Sequence, residues 1–214
     1  MRIILVGCLL SFSLLLQGQD PQRFEKEVND LVAGDSAINN KKLILFTGSS
    51  SIRFWKSLHT DFPKQNTLNH GFGGSEMSDL FYYAETLILS YQPKKIFIYE
   101  GDNDLNSGKS ADEILQTAKE LLALIRAKLP KGTKVIFIAA KPKLARWTLK
   151  DKYMTFNEQL NQWTQTQKRV EFADVWTALV DSNGNVLPDI FIEDGLHLNE
   201  KGYVLWADAI RKFM

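Results

Sequence analysis

The sequence predicts an α/β protein, a three-layer α/β/α sandwich built on a five-stranded parallel sheet. Two patterns carry that reading. Short apolar runs recur at Leu43 to Phe46, around Leu68, at Ile96 to Tyr99, at Val135 to Ala140 and at Val170 to Val175, with helix-like segments between them. The runs are near-continuous rather than alternating, as expected of strands covered on both faces, and their alternation with helices is the connectivity of a parallel sheet. A chain of 214 residues with 44% hydrophobic residues can bury one sizeable core, and no linker or repeat calls for a second domain.

The elements follow in order. Arg2 precedes an apolar stretch from Ile3 to Leu16, shorter than the roughly 20 residues of a membrane-spanning helix but suited to the core of a secretory signal. Residues 1–18 are therefore expected to be a signal peptide cleaved near Gly18, and residues 19–214 the mature domain. The mature protein would be secreted or periplasmic, with no stable membrane insertion. Leu5 to Cys8 formally mimics a lipoprotein acylation site, but so few residues precede Cys8 that lipid anchoring is not expected. Phe24, Val28, Leu31 and Val32 recur at helical spacing, so residues near 21–35 should form an amphipathic helix over the domain. Further helices are expected near 51–58, 76–90, 110–129, 151–167 and 199–213.

Charge and cysteine content exclude several functions. Without the leader, 25 Lys and Arg balance 25 Asp and Glu, and the only cysteine is gone. A neutral chain with no basic cluster is a poor nucleic-acid partner, because phosphate binding needs grouped Lys and Arg. With no disulfide available, the core must stabilise the fold alone.

In open parallel sheets, ligands bind beyond the carboxyl ends of the strands. Four loops there carry unusual residues. Gly48-Ser49-Ser50-Ser51 follows the first apolar run. Its glycine permits a sharp turn, and a serine opening the next helix gains backbone N–H groups and the positive dipole end, although serines are also common helix caps. Asn69 to Ser75 is rich in glycine, which allows close backbone approach to a ligand but lacks the phosphate-loop pattern. Glu100-Gly101-Asp102-Asn103-Asp104 sets an amide among carboxylates, and an amide can donate to developing negative charge. Asp102, Asp104, Asn106 and Glu113 also fall at calcium-loop spacing, but the loop's glycine position is Ser107 and the preceding segment is strand-like. Last, Asp194 and His197 stand three residues apart, close enough in one helical turn for the acid to orient the imidazole. Of the other histidines, His59 falls on a helix and His70 in the glycine loop, neither with an acid at that spacing. Three scattered histidines without a mature cysteine make a zinc site improbable.

This ordered set resembles the SGNH or GDSL hydrolase family of esterases, lipases and platelet-activating-factor acetylhydrolase-like enzymes, from about Lys42 to the C-terminus. "FTGSSSIRFW" resembles its first block, "NHGFGGSE" its second, "YEGDNDL" its third and "DGLHLN" its last. The resemblance implies a flavodoxin-like fold with Ser50 as nucleophile, Gly74 and Asn103 in the oxyanion hole, and Asp194 with His197 as acid and base. Ser49 stands where the family usually has an acidic residue, and Asp102 replaces the more frequent threonine.

These readings converge on a serine esterase that needs no cofactor and acts on short-acyl esters, acetyl esters foremost, of small molecules or carbohydrates. Lysophospholipase or lipase-type activity is the alternative within the family. A ligand-binding protein that hydrolyses nothing, or a calcium-binding extracellular module, belongs to other classes. The segment "KPKLARW" follows the fourth apolar run, so Arg146 or Trp147 could touch substrate, but a surface arginine and a packing tryptophan is the reading slightly preferred.

Overall fold

The computed structural model describes residues 20–35 and 38–214. The expected signal peptide, with Cys8, lies outside the described residues. Five strands, β1 (Ile44–Gly48), β2 (Thr67–Gly71), β3 (Lys95–Tyr99), β4 (Lys134–Ile138) and β5 (Val170–Ala173), form one sheet. The sheet is all parallel in the order β2-β1-β3-β4-β5. That is the flavodoxin-like order, with the topological switch between β1 and β3.

Alternating side chains of each strand serve opposite faces. Leu45, Ile96, Ile98, Val135 and Phe137 join one core. Its helices are α1 (Glu25–Ala33), α4 (Met77–Tyr82), α5 (Ala84–Leu87), α7 (Ala111–Lys128) and α8 (Lys150–Gln165). Ile44, Phe46, Phe97, Tyr99, Ile136 and Ile138 face the other core. That side is covered by α2 (Ser50–Arg53), α3 (Leu58–Asp61) and α9 (Glu200–Arg211). Phe46 stacks on Phe97 at 4.3 Å, and Trp206 of α9 reaches Trp55 at 5.3 Å and Tyr99 at 5.1 Å. Aromatic burial on this scale supplies much of the cohesion a chain without disulfides needs. Among the described residues no helix is long and apolar enough to cross a membrane.

Three expectations need correction. The helix expected over 51–58 breaks after Arg53, because Trp55 turns into the core, and resumes as α3. The segment 76–90 is α4, α5 and a short 3-10 turn rather than one helix. A helix not foreseen, α6 (Asp102–Asn106), opens directly after β3.

Candidate active site

The sheet register levels the loops. Gly48 pairs with Gly71 on one side and with Tyr99 on the other, so the chain leaves β1, β2 and β3 at the same height. Residues 49–50, 72–74 and 100–103 therefore emerge side by side. Gly48 has φ of +125°, and a β-carbon there would lie 2.0 Å from the Tyr99 carbonyl oxygen. Only glycine tolerates that conformation and that approach, and it lets Ser49 N–H donate to Tyr99 O at 3.0 Å while the chain swings into α2. Ser50 is thereby the first residue of α2, 9% exposed at the sheet edge. Ser49 precedes it with a buried hydroxyl that meets no partner among the described residues.

His197 comes from the opposite end of the sequence and meets Ser50. Its Nε2 lies 2.9 Å from Ser50 Oγ, and its Nδ1 lies 2.5 Å from Asp194 Oδ2. The pair does not sit on a helical turn, as its spacing suggested, but in an irregular turn with Gly195 at φ of +62°. Asp194 Oδ1 accepts from Leu196 N–H at 2.8 Å and His197 N–H at 2.9 Å. Burial pushes the Asp194 carboxyl up, but the His197 and Leu196 donors outweigh it and bring its pKa to about 2. The imidazole is also flanked by the Phe54 ring at 4.7 Å.

Gly74 and Asn103 stand on the loops after β2 and β3, either side of the loop after β1. Asn103 Nδ2 donates to Ser75 O at 2.9 Å, and its Oδ1 accepts from Arg146 Nη1 at 3.0 Å. With an acceptor on one side and a donor on the other, the amide has one orientation, and its second N–H meets no acceptor among the described residues. A β-carbon on Gly74 would lie 3.8 Å from that Nδ2. Among the described residues, the N–H groups of Ser50 and Gly74 meet no protein acceptor. The structure thus brings together all five expected residues, Ser50, Gly74, Asn103, Asp194 and His197. A hydroxyl paired to a carboxylate-bound imidazole, with unengaged N–H groups on Ser50 itself and on Gly74 of the adjacent loop, is an arrangement suited to acyl transfer.

Supporting contacts escaped the sequence reading. Asp102 lies fully buried in an ion pair with Lys143. Burial pushes its carboxyl up, yet Lys143 and Lys141 hold it below the usual range, so a charge sits behind Asn103 in neutralised form. Lys141 Nζ donates to Leu196 O at 2.5 Å, and Ala145 N–H donates to Gly195 O at 3.1 Å. The segment 141–146 therefore braces the Asn103 loop and the His197 loop together. Its signal in the sequence was three cations placed just after a strand. Arg146 binds the Asn103 side chain rather than lying free on the surface, while Trp147 packs against Trp176 at 6.1 Å.

The remaining candidates are committed elsewhere. Asp104 accepts from Met77 N–H at 3.0 Å and from Lys109, and Glu113 caps α7 through Ser110, so the calcium-loop carboxylates point to separate partners. His70 meets an acid, though not at the three-residue spacing: Asp35 Oδ2 lies 2.7 Å from its Nε2, with Leu87 O 2.8 Å from its Nδ1. That acid comes from 35 residues away, beyond any local spacing rule, and the ring is buried without a serine. A cavity of about 510 Å³ walled by Glu27, Arg53, Trp55 and Asn69 also lies beside the β2 edge, and it excludes Ser50 and His197.

Residues 32–205 match the model of the GDSL-like lipase/acylhydrolase family, and the chain belongs to that family. No curated protein sequence matches it. Similar solved structures include a GDSL-like lipase from Bacteroides thetaiotaomicron, at 19% identity and a TM-score of 0.74, covering 91% of this chain and 98% of that one. A member of the lipolytic G-D-S-L family from Veillonella parvula has 20% identity and a TM-score of 0.66, over 79% and 96% of the two chains. A catalytic mutant of Axe2, an acetylxylan esterase from Geobacillus stearothermophilus, has 15% identity and a TM-score of 0.66, over 80% and 93%.

Proposed function

We propose that this acylhydrolase-family chain is a serine esterase that hydrolyses short-acyl esters through a covalent acyl-enzyme. The observation that carries the reading is the unbroken line from Asp194 through His197 to Ser50 Oγ, with contacts of 2.5 and 2.9 Å. Ser50 Oγ attacks the ester carbonyl carbon as its proton passes to His197 Nε2. The tetrahedral oxyanion takes hydrogen bonds from the N–H groups of Ser50 and Gly74 and from Asn103 Nδ2. Its collapse breaks the bond to the alkoxy group, which leaves with the proton from His197. Water then repeats the sequence on the acyl-enzyme and frees Ser50. Asp194, ionised down to about pH 2, keeps Nδ1 protonated and stabilises the imidazolium throughout.

Acetyl groups on carbohydrate or small alcohols are the favoured substrates. The connections that follow β1, β2 and β3 are short, which favours an open crevice over a long acyl tunnel, and an acetylxylan esterase of the same fold offers a precedent. A second reading, lysophospholipase or lipase-type activity, draws on apolar side chains near the imidazole: Phe54, Leu144 and Ile192 are 41%, 45% and 50% exposed on segments that touch His197 or its loop. A series of p-nitrophenyl esters decides between them. The acetyl and propionyl esters are expected to have the highest kcat/KM, whereas a maximum at long chains or activation by micelles would favour the second reading. Export with removal of residues 1–18 is part of the proposal, and N-terminal sequencing of the exported protein tests it.

A further inference from the structure

The family match begins at residue 32, yet α1, which lies almost wholly before it, reaches the catalytic loops. Glu27 Oε1 accepts from Gly73 N–H at 2.9 Å and pairs with Arg53 Nε at 3.0 Å. Gly73 immediately precedes Gly74, and Arg53 closes the helix that Ser50 opens. One carboxylate oxygen therefore ties the loop of one oxyanion donor to the helix that carries the nucleophile and the other.

The loop is also shaped to the arm. Gly73 has φ of +36°, and a β-carbon on it would lie 2.1 Å from Phe24 Cε1. Phe24 meets Phe72 edge-on at 5.2 Å, and Tyr83 Oη donates to Pro21 O at 3.0 Å. Arg23 pairs with Asp79 beside them. Val28 anchors α1 in the core, fully buried.

We propose that Glu27 is a positioning residue of the oxyanion site, setting the separation between the Ser50 and Gly74 N–H groups. The role rests on the esterase reading. Donors act on the oxyanion only within a few tenths of an ångström of their place, and a displacement of about 1 Å costs on the order of a hundredfold in rate. The Arg53–Glu27 pair is partly solvated, at 46% and 27% exposed, so its own contribution to stability is small and the catalytic and structural effects separate.

The test measures kcat and KM for p-nitrophenyl acetate, the rate of labelling by a serine-directed phosphonate, and Tm, all on the mature chain. Glu27→Ala is expected to lower kcat and the labelling rate by about ten- to thirtyfold with KM within about twofold, and to leave Tm nearly unchanged. Glu27→Gln keeps an oxygen that accepts from Gly73 N–H and should recover most of the loss. Asp30→Ala, which removes an exposed carboxylate paired with Lys26 on the same helix, should match the wild type. If Glu27→Ala does not fold, Glu27→Asp decides: its shorter arm should lower kcat about fivefold at unchanged Tm, a partial version of the same displacement. Full kcat in the folded variant, equal slowing in Asp30→Ala, or no recovery in Glu27→Gln would overturn the role alone. A wild type inert to both reagents would overturn the esterase reading and this role with it.

Discussion

At the scale of single residues, the site depends on which way one amide points. Asn103 donates with its nitrogen to Ser75 O and accepts with its oxygen from Arg146, so a flip would break both bonds at once. Under the proposed mechanism, loss of Asn103 itself should lower kcat by roughly a hundred- to a thousandfold, the cost of removing one oxyanion donor. Arg146 acts through that amide, so its removal should cost less. Arg146→Met is expected to reduce kcat about tenfold, a partial loss of the same donor, while KM changes little. Steady-state kinetics on an acetyl ester check this. A raised KM at unchanged kcat would instead make Arg146 a direct substrate contact.

At the scale of elements, the loops after β2 and β3 are stitched to each other by buried carboxylates. Ser75 Oγ donates to Glu100 Oε1 at 2.6 Å, and Met77 N–H, opening α4, donates to Asp104 of α6. Burial, reinforced by Asp104, pushes Glu100 well above the usual carboxylate range. Burial also raises Asp104 to about 6, against the opposing pull of Lys109 and Met77 N–H. A carboxyl whose folded pKa exceeds its unfolded value, about 3.9, gives its full stabilisation below that unfolded value and loses it as pH rises through about 6. Wild-type Tm should therefore fall by a few degrees more between pH 4.5 and pH 7 than that of Asp104→Asn, which cannot titrate there. Parallel Tm profiles for the two proteins would contradict the assignment. These stitches mark the limit of what sequence patterning conveys. The strands were legible because near-continuous apolar runs have few other uses, and α7 and α8 because their periodic faces are long. Ser50, Asn103 and His197 were legible because each stands in a block of chemically unusual residues at a strand end. The Lys143–Asp102 pair, the Asp35–His70 contact and the Glu27 bridge were not, because each joins segments between 35 and 46 residues apart and no local spacing records them. The breaks in 51–58 and 76–90 were hidden for a related reason: Trp55 and Tyr83 turn into the cores, so tertiary packing overrides local helical periodicity.

At the scale of the whole molecule, the site exists because the sheet order places β1 and β3 side by side at the switch point. The chain then departs from level strand ends, Gly48, Gly71 and Tyr99, into three adjacent loops. The turn before α9 closes the fourth side by carrying His197 across to Ser50, and the segment 141–146 holds that turn to the Asn103 loop. The separation of 147 residues between Ser50 and His197 means the site forms only when the two ends of the domain pack together. The central claim is that Ser50, and neither of its flanking serines, is the nucleophile. Its most direct test is peptide mapping after reaction of the mature protein with a serine-directed fluorophosphonate. The account predicts one adduct, on Ser50, that disappears in Ser50→Ala together with nearly all esterase activity, while Ser49→Ala and Ser51→Ala are still labelled. An adduct on Ser49 or Ser51, or undiminished hydrolysis by Ser50→Ala, would contradict it.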